Sequence, residues 1–298
     1  MLAFLPSFIK GPLGAILVIL NTVLCFIPLF VVAVFKLLIP LRAWQWTCAI
    51  VLTWIAELWI SVNNGITDLT QRIEWDVDLP ADLRYRSSYL VISNHQSWAD
   101  IVVLQRVFNR RIPFLKFFLK KELIWVPLMG IAWWALDLPF MRRYSREYLE
   151  KHPEKRGADL AITRRACEKF RDMPVTIMNF VEGTRFRAGK HAAQSSPYRH
   201  LLRPKAGGIA FALNAMEGAI RTLLDVTVVY RPHRSGFMDL FSGRVGKVTV
   251  RVRELAVPER FLHGDYQNDA AWRDEFQAWM RELWQHKDDE IDRLLAAG

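Results

Sequence analysis

The stretch from Gly11 to Ile39 constrains this chain more than any other, because its only polar residues are Asn21, Thr22 and Lys36. About 20 predominantly apolar residues in a helix cross the hydrocarbon core of a bilayer, so the run predicts a membrane helix. A cleaved signal peptide has a shorter apolar region and a small-residue cleavage site. Neither is obvious here, and a retained anchor that ends at Pro40 is expected. A second helical pattern follows, with Trp44, Cys48, Val51, Ile55, Leu58 and Val62 recurring on one face. Trp44, Trp46, Trp54 and Trp59 suit a membrane interface, where an indole buries its face and keeps its N–H hydrated. Packing of this helix on a soluble domain is the alternative. Residues 1–62 are expected to form the anchor and residues 63–298 a second domain. Lys10, Lys36 and Arg42 flank the first run on both sides, so the distribution of basic residues does not fix its orientation.

The formal net charge of +10 suits a surface that faces anionic lipid headgroups, phosphorylated substrates or nucleic acid, and charge alone does not choose among them. Cys25, Cys48 and Cys167 form no close pair, which points away from a disulfide framework and a zinc site and toward a reducing, cytoplasm-facing location. His152, His191, His200 and His233 lack metal-ligand spacing, and no metal is expected.

After residue 63 the pattern becomes that of an α/β domain. Seven β-prone runs, Arg72–Val77, Tyr89–Ser93, Pro113–Phe117, Leu136–Met141, Val175–Phe180, Leu224–Tyr230 and Lys247–Val252, are separated mostly by segments of helical period. A mixed central sheet of about seven strands covered by helices is the expected architecture. The expected helices include Ala99–Phe108, Ala158–Arg171, Gly207–Met216 and a last helix with Trp272, Phe276, Trp279, Leu283 and Trp284 on one face. The polar stretch Arg187–Lys205 reads as a long loop.

The chemistry begins where the strand Tyr89–Ser93 runs into Asn94-His95-Gln96-Ser97-Trp98-Ala99-Asp100. A hydroxyl attacks an electrophile efficiently only if its proton is removed as it attacks, and histidine suits that task because it titrates near neutrality. Asp100, in the first turn of the next helix, is placed to hold the other ring nitrogen. No serine or cysteine nucleophile elbow is obvious, so the base is expected to activate a substrate's own hydroxyl directly, without a covalent enzyme intermediate. A second turn, Val181-Glu182-Gly183-Thr184-Arg185-Phe186, also follows a strand. Gly183 permits close backbone approach, Arg185 presents a fork of donors suited to a phosphate, and Glu182 is placed to pin an arginine or a substrate hydroxyl. Lys205, followed by Ala206-Gly207-Gly208, puts a cation at a helix start. Arg142, Arg143, Arg146, Lys151, Lys155 and Arg156 form a basic cluster that suits either anionic lipid or water.

Taken together these residues resemble the glycerolipid acyltransferases, a family that includes 1-acylglycerol-3-phosphate acyltransferase. Asn94, His95 and Asp100 match its Asn-His-x-x-x-x-Asp motif, and Phe180, Glu182, Gly183, Thr184 and Arg185 match Phe-Pro-Glu-Gly-Thr/Ser-Arg. The run Leu138–Arg143 corresponds to its arginine-ended second motif and Leu224–Tyr230 to its fourth. Val181 and Thr227 replace the usual prolines. The order and separation of the motifs match over roughly residues 72–252, and two further segments, Trp133–Arg146 and His263–Tyr266, are similar to a bacterial inner-membrane subgroup related to lysocardiolipin acyltransferases.

The resemblance implies transfer of a fatty acyl group from acyl-CoA or acyl carrier protein to the sn-2 hydroxyl of a lysophospholipid, 1-acyl-sn-glycerol-3-phosphate first and lysophosphatidylglycerol or lysocardiolipin as alternatives. It implies His95 as base, Asp100 as its orienter, and an acceptor-phosphate pocket of Arg185, Arg143 and Arg142 organised by Glu182, Gly183 and Thr184 beside Asn94. Apart from the resemblance, the helix start after Lys205 suits the donor's phosphates, with an ordinary helix entry as the alternative. Backbone N–H groups near Gly183, or at the helix start after His95, are expected to meet the oxyanion. The expected setting is the cytoplasmic face of a bacterial inner membrane, with phospholipid as partner, no nucleic acid and no cofactor beyond the acyl thioester. A metal-dependent lipid hydrolase or a non-catalytic basic membrane-binding protein remains the reading from another class.

Overall fold

The computed structural model describes residues 6–141, 170, 173–232, 239–240 and 243–297. The apolar run forms α1 (Ser7–Leu38), which stops two residues before Pro40 with Ile39 already extended. α2 (Arg42–Thr70) folds back along it. The polar residues of the apolar run make contacts between elements, as buried polar groups must. Asn21 Nδ2 donates to Trp59 O at 3.0 Å and Asn63 Oδ1 at 2.8 Å. Thr22 Oγ1 accepts from the Trp59 indole at 3.0 Å. Lys36 pairs with Asp137 at 2.5 Å.

Both helices are long and apolar enough to cross a bilayer. Ile16, Ile19, Leu20, Leu24 and Ile27 of α1 and Trp46 and Trp54 of α2 are exposed, an apolar surface that suits membrane association. The far end of α2 behaves differently. Tyr85 donates to Glu57 at 2.6 Å and Arg106 pairs with Asp68 at 2.8 Å, so α2 continues past residue 62 and docks against the following domain.

That domain contains eight described strands: β1 (Glu74–Asp78), β2 (Tyr89–Ser93), β3 (Leu115–Phe117), β4 (Leu119–Lys120), β5 (Phe140–Met141), β6 (Thr176–Phe180), β7 (Thr222–Arg231) and β8 (Lys247–Ala256). Six of them form a mixed sheet in the order β1-β8-β7-β2-β6-β3, in which β7 and β8 are the antiparallel pair. The run Leu136–Met141 does not join it. Asp137 has φ 56° and Pro139 has no N–H to donate, so only Phe140–Met141 is extended, pairing with β4 in a separate ribbon.

The strands have side chains buried on both faces because helices cover both sides. Leu90, Ile92, Ile177, Leu223 and Val229 pack toward α6 (Gly207–Ala215) and α8 (Ala270–Ala296). Their neighbours in the alternation, Tyr89, Val91, Met178, Leu224, Val226, Val228 and Tyr230, pack toward α3 (Ala99–Phe108). α4 (Met129–Ala135) packs on α1, and α7 (Glu259–Leu262) adds Phe261 and Leu262 to the α6–α8 core. Inside the expected loop Arg187–Lys205, Ala188–Ala193 forms α5, where three alanines favour a helical turn. The expected helix Ala158–Arg171 lies outside the described residues apart from Phe170.

One register fact positions the chemistry. β2, β6 and β7 run parallel, with Ser93 beside both Phe180 and Val226. The two turns singled out in the sequence therefore leave adjacent strands at the same carboxyl edge, the usual place for a ligand in such sheets.

Candidate active site

His95 is the second residue past β2, and its ring is fixed on two sides. Nδ1 lies 2.7 Å from Asp100 Oδ2, and the ring stacks on Phe180, the last residue of β6, with centroids 3.9 Å apart and planes at 13°. The side chain is 12% exposed, and no hydrogen-bond partner holds Nε2 among the described residues. Asp100 is fully buried. Its Oδ2 also accepts from the N–H groups of Gln96 at 2.7 Å and Ser97 at 2.9 Å, and its Oδ1 accepts from Tyr230 at 2.7 Å. A carboxylate surrounded by donors keeps the proton on Nδ1 and leaves the Nε2 lone pair facing outward. Burial and the Asp100 carboxylate push the Tyr230 phenol well above its ordinary value, so it remains an O–H donor.

Asn94 faces away from the opening. Its amide is buried and pairs with the backbone of β7, donating to Val228 O and accepting from Val228 N, both at 2.9 Å. It braces the turn that carries His95.

The second turn is bound directly to the first. Glu182 is fully buried, and its two oxygens accept from His95 N at 2.9 Å and Leu202 N at 3.0 Å. The sequence suggested that Glu182 pins an arginine or a substrate hydroxyl, but its carboxyl clasps two backbone segments and pairs with no arginine among the described residues. Burial, opposed by those N–H groups, pushes it up to about 8. Phe186 N donates to His95 O at 2.7 Å, a second link between the turns. Gly183 takes φ 68°, and a Cβ there would lie 3.2 Å from Lys205 Cδ. Lys205 is thereby placed under this turn, its own N–H donating to Val181 O at 2.8 Å.

Arg185 lies with its guanidinium 4.9 Å from the centre of the Trp98 ring, a cation–π contact, and no carboxylate pairs with it among the described residues. Trp98 belongs to the histidine turn and is 48% exposed. The imidazole and the guanidinium thus lie along one edge of the sheet. Lys190 of α5 donates to Thr184 Oγ1, bringing a second cation to Arg185's turn. Arg142 and Arg143 lie outside the described residues, as do Arg146, Lys151, Lys155 and Arg156.

Four of the backbone donors in the two stretches expected to meet an oxyanion are already engaged. Gln96 and Ser97 donate to Asp100, Ala99 to Ser97 Oγ, and Gly183 to Phe180 O. Tyr230, Trp98 and Lys190 were missed as site residues. Tyr230 alone had a legible signal, since a buried phenol at a strand end needs a hydrogen-bond partner.

Residues 75–231 match the sequence profile of a family described as Acyltransferase. The chain belongs to that family. Among acyltransferase relatives, human 1-acyl-sn-glycerol-3-phosphate acyltransferase gamma is 28% identical over 180 residues, covering 57% of this chain and 43% of the relative. The 2-acyl-1-lysophosphatidylinositol acyltransferase of Saccharomyces cerevisiae is 21% identical, covering 72% and 63%. The chain spans about half the length of the first of these. The crystal structure of the 1-acyl-sn-glycerophosphate (LPA) acyltransferase PlsC from Thermotoga maritima superposes with a TM-score of 0.58 over 96% of this chain and 98% of that one, at 16% identity. It shares the fold.

Proposed function

We propose that this acyltransferase-family protein moves a fatty acyl group from acyl-CoA or acyl carrier protein to the sn-2 hydroxyl of a lysophospholipid, foremost 1-acyl-sn-glycerol-3-phosphate, giving phosphatidic acid. The observation that carries the reading is the His95 ring, gripped through Nδ1 by a buried carboxylate while Nε2 keeps its lone pair. In this mechanism Nε2 takes the hydroxyl proton as the oxygen attacks the thioester carbonyl. The imidazolium then returns the proton to the departing thiolate, leaving an ester and a free thiol. Asp100 orients the ring and stabilises its charge. Arg185, with Lys190 beside it and Arg143 and Arg142 from the neighbouring motif, receives the acceptor's phosphate. Relatives named for 1-acyl-sn-glycerol-3-phosphate and 2-acyl-1-lysophosphatidylinositol support lysophospholipids as the class; lysophosphatidylglycerol and lysocardiolipin are the alternative acceptors.

We further propose that residues 1–62 anchor the protein in a bacterial inner membrane and that residues 63–298, which take in the docked last turns of α2, work at its cytoplasmic face. This division suits an exposed apolar α1 and a basic chain. His95→Ala is expected to lower turnover by about 10² to 10⁴, the usual size of a general-base contribution. The check is transfer from labelled acyl thioesters to a panel of lysolipids, and wild-type turnover by the variant would remove His95 from the mechanism.

A further inference from the structure

Behind the Glu182–Arg185 turn lies a cavity of about 400 Å³ that the mechanism above leaves unused. Among the described residues its wall carries three cations, Arg203, Lys205 and Arg281, and no acidic residue. Arg203 donates through Nε to Gln194 O at 2.9 Å and through Nη2 to Ser195 O at 2.8 Å, so neutral carbonyls hold it in place without cancelling its charge. Neither the Lys205 ammonium nor the Arg281 guanidinium is paired with a carboxylate among the described residues. Three like charges around an open volume repel one another, and an anion entering between them removes that penalty.

The rest of the wall is ring surface and the start of a helix. Tyr198 and Tyr266 line the cavity; Tyr266 is held by Gln277 at 3.0 Å and packed edge-on against Phe211. α6 begins here at Gly207 with no side chain capping it, and a helix start favours negative charge. The cavity is also tied to the site. Lys205 bonds to Val181 O and lies under Gly183, and Glu182 between them holds the backbone of His95. Gly208 is packed so closely on Asn179 of β6 that a Cβ would lie 3.0 Å from its amide, which fixes the helix start relative to that strand.

Resting on the reading of acyl transfer, we propose that this cavity binds the phosphorylated carrier of the acyl donor. Lys205 and Arg281 make its charge contacts, and Tyr198 and Tyr266 flank its pantetheine arm. Two phosphorylated substrates meet at one histidine, and the acceptor's phosphate is assigned to Arg185 on the other turn surface. A separate cationic, tyrosine-walled cavity is what the donor requires. Coenzyme A and acyl carrier protein share the phosphopantetheine chemistry that would be recognised.

The test uses the full-length protein in lipid nanodiscs. Calorimetric titration with coenzyme A, dephospho-coenzyme A and 4′-phosphopantetheine is compared for wild type, Lys205→Ala, Arg281→Ala and, as a charge control outside the cavity, Arg260→Ala. Loss of one charge-assisted contact predicts weakening of about tenfold to hundredfold for each cavity variant and none for the control. The KM for acyl-CoA should rise by a similar factor while the lysophospholipid KM stays put. If 4′-phosphopantetheine binds with the same sensitivity, the contact is the arm phosphate that both carriers share; if only coenzyme A does, it is a nucleotide phosphate. Affinities and donor KM that ignore both substitutions overturn the assignment, as does a shift confined to the acceptor KM. Transfer that depends on His95 but not on these cations would sink this inference alone, whereas no transfer from any thioester sinks the reading of function beneath it.

Discussion

Glu182→Gln is the substitution with the most to reveal, because Glu182 is both the clasp between the two turns and a carboxyl held near 8 by burial. Glutamine keeps one acceptor oxygen but presents an NH₂ to the other backbone N–H. Either His95 N or Leu202 N, now bonded at 2.9 and 3.0 Å, then loses its partner in a dry site, at a cost of about 1–3 kcal/mol. The pH dependence separates this loss from any generic weakening. With a folded value near 8 against an ordinary value of 4.5, the native state binds a proton between those limits that the unfolded chain has released. The difference in bound protons, unfolded minus native, is therefore negative, and stability falls as pH rises through the window. The slope for one proton is about 1.4 kcal/mol per pH unit. Thermal unfolding followed by tryptophan fluorescence between pH 5 and 9 should show wild-type Tm losing ground to the Gln variant as pH rises toward 8. Parallel Tm curves for the two proteins would mean that Glu182 is ionised throughout, with its two N–H bonds outweighing burial.

Three further substitutions probe the same frame. Tyr230→Phe leaves Asp100 Oδ1 without the donor now at 2.7 Å, so a stability loss of about 1–3 kcal/mol and a fall in kcat smaller than that of His95→Ala are expected from denaturation and turnover; a neutral phenotype would separate Tyr230 from Asp100's work. Lys287→Met removes the fully buried ammonium paired with buried Asp225 at 2.6 Å and leaves that carboxylate only Arg253, at 2.5 Å, so stability should fall, by at most about 3–5 kcal/mol, with Lys287→Met/Asp225→Leu recovering much of it in the same melts. Arg185→Ala should raise the KM for a phosphorylated lysolipid well above that for an uncharged glyceride acceptor, and equal shifts for the two would place the phosphate elsewhere.

The sheet was readable because six of its strands carry long β-prone runs and the motifs sit where runs end. Leu136–Met141 misled because composition does not show that Asp137 adopts a left-handed backbone. His95 and Asp100 were legible because they lie five positions apart across one strand-to-helix turn, a local geometry. Glu182 was singled out, but its role was not legible, because its partners are the backbone of a residue 87 positions away and of Leu202, and backbone partners leave no mark in a sequence. The same holds for Asn94, whose side chain pairs with a strand 134 positions on. The cavity lined by Lys205 and Arg281 likewise joins a loop to α8, and only the packed fold brings them together.

The two departures from the family's usual motifs acquire a physical meaning once their neighbours are known. Residue 227 faces α8, and as threonine it offers a hydroxyl that meets Glu290 and lies 3.3 Å from Lys287 Nζ. A proline there supplies neither. Lys287 also donates to Val226 O at 2.6 Å and pairs with Asp225, and Arg231 reaches Leu294 O at 2.5 Å. One face of β7 is thus fastened to α8 along its length, while the opposite face presents Val228 to Asn94 and Tyr230 to Asp100. The strand is thus bonded both to α8 and to the histidine turn, and Thr227 is one of its fasteners. Val181 makes a smaller change: it is buried, and its carbonyl accepts from Lys205 N, a contact that a proline would keep. The substitution at 227 therefore alters how the site is held from behind, and the one at 181 leaves the turn's bond to Lys205 as it was.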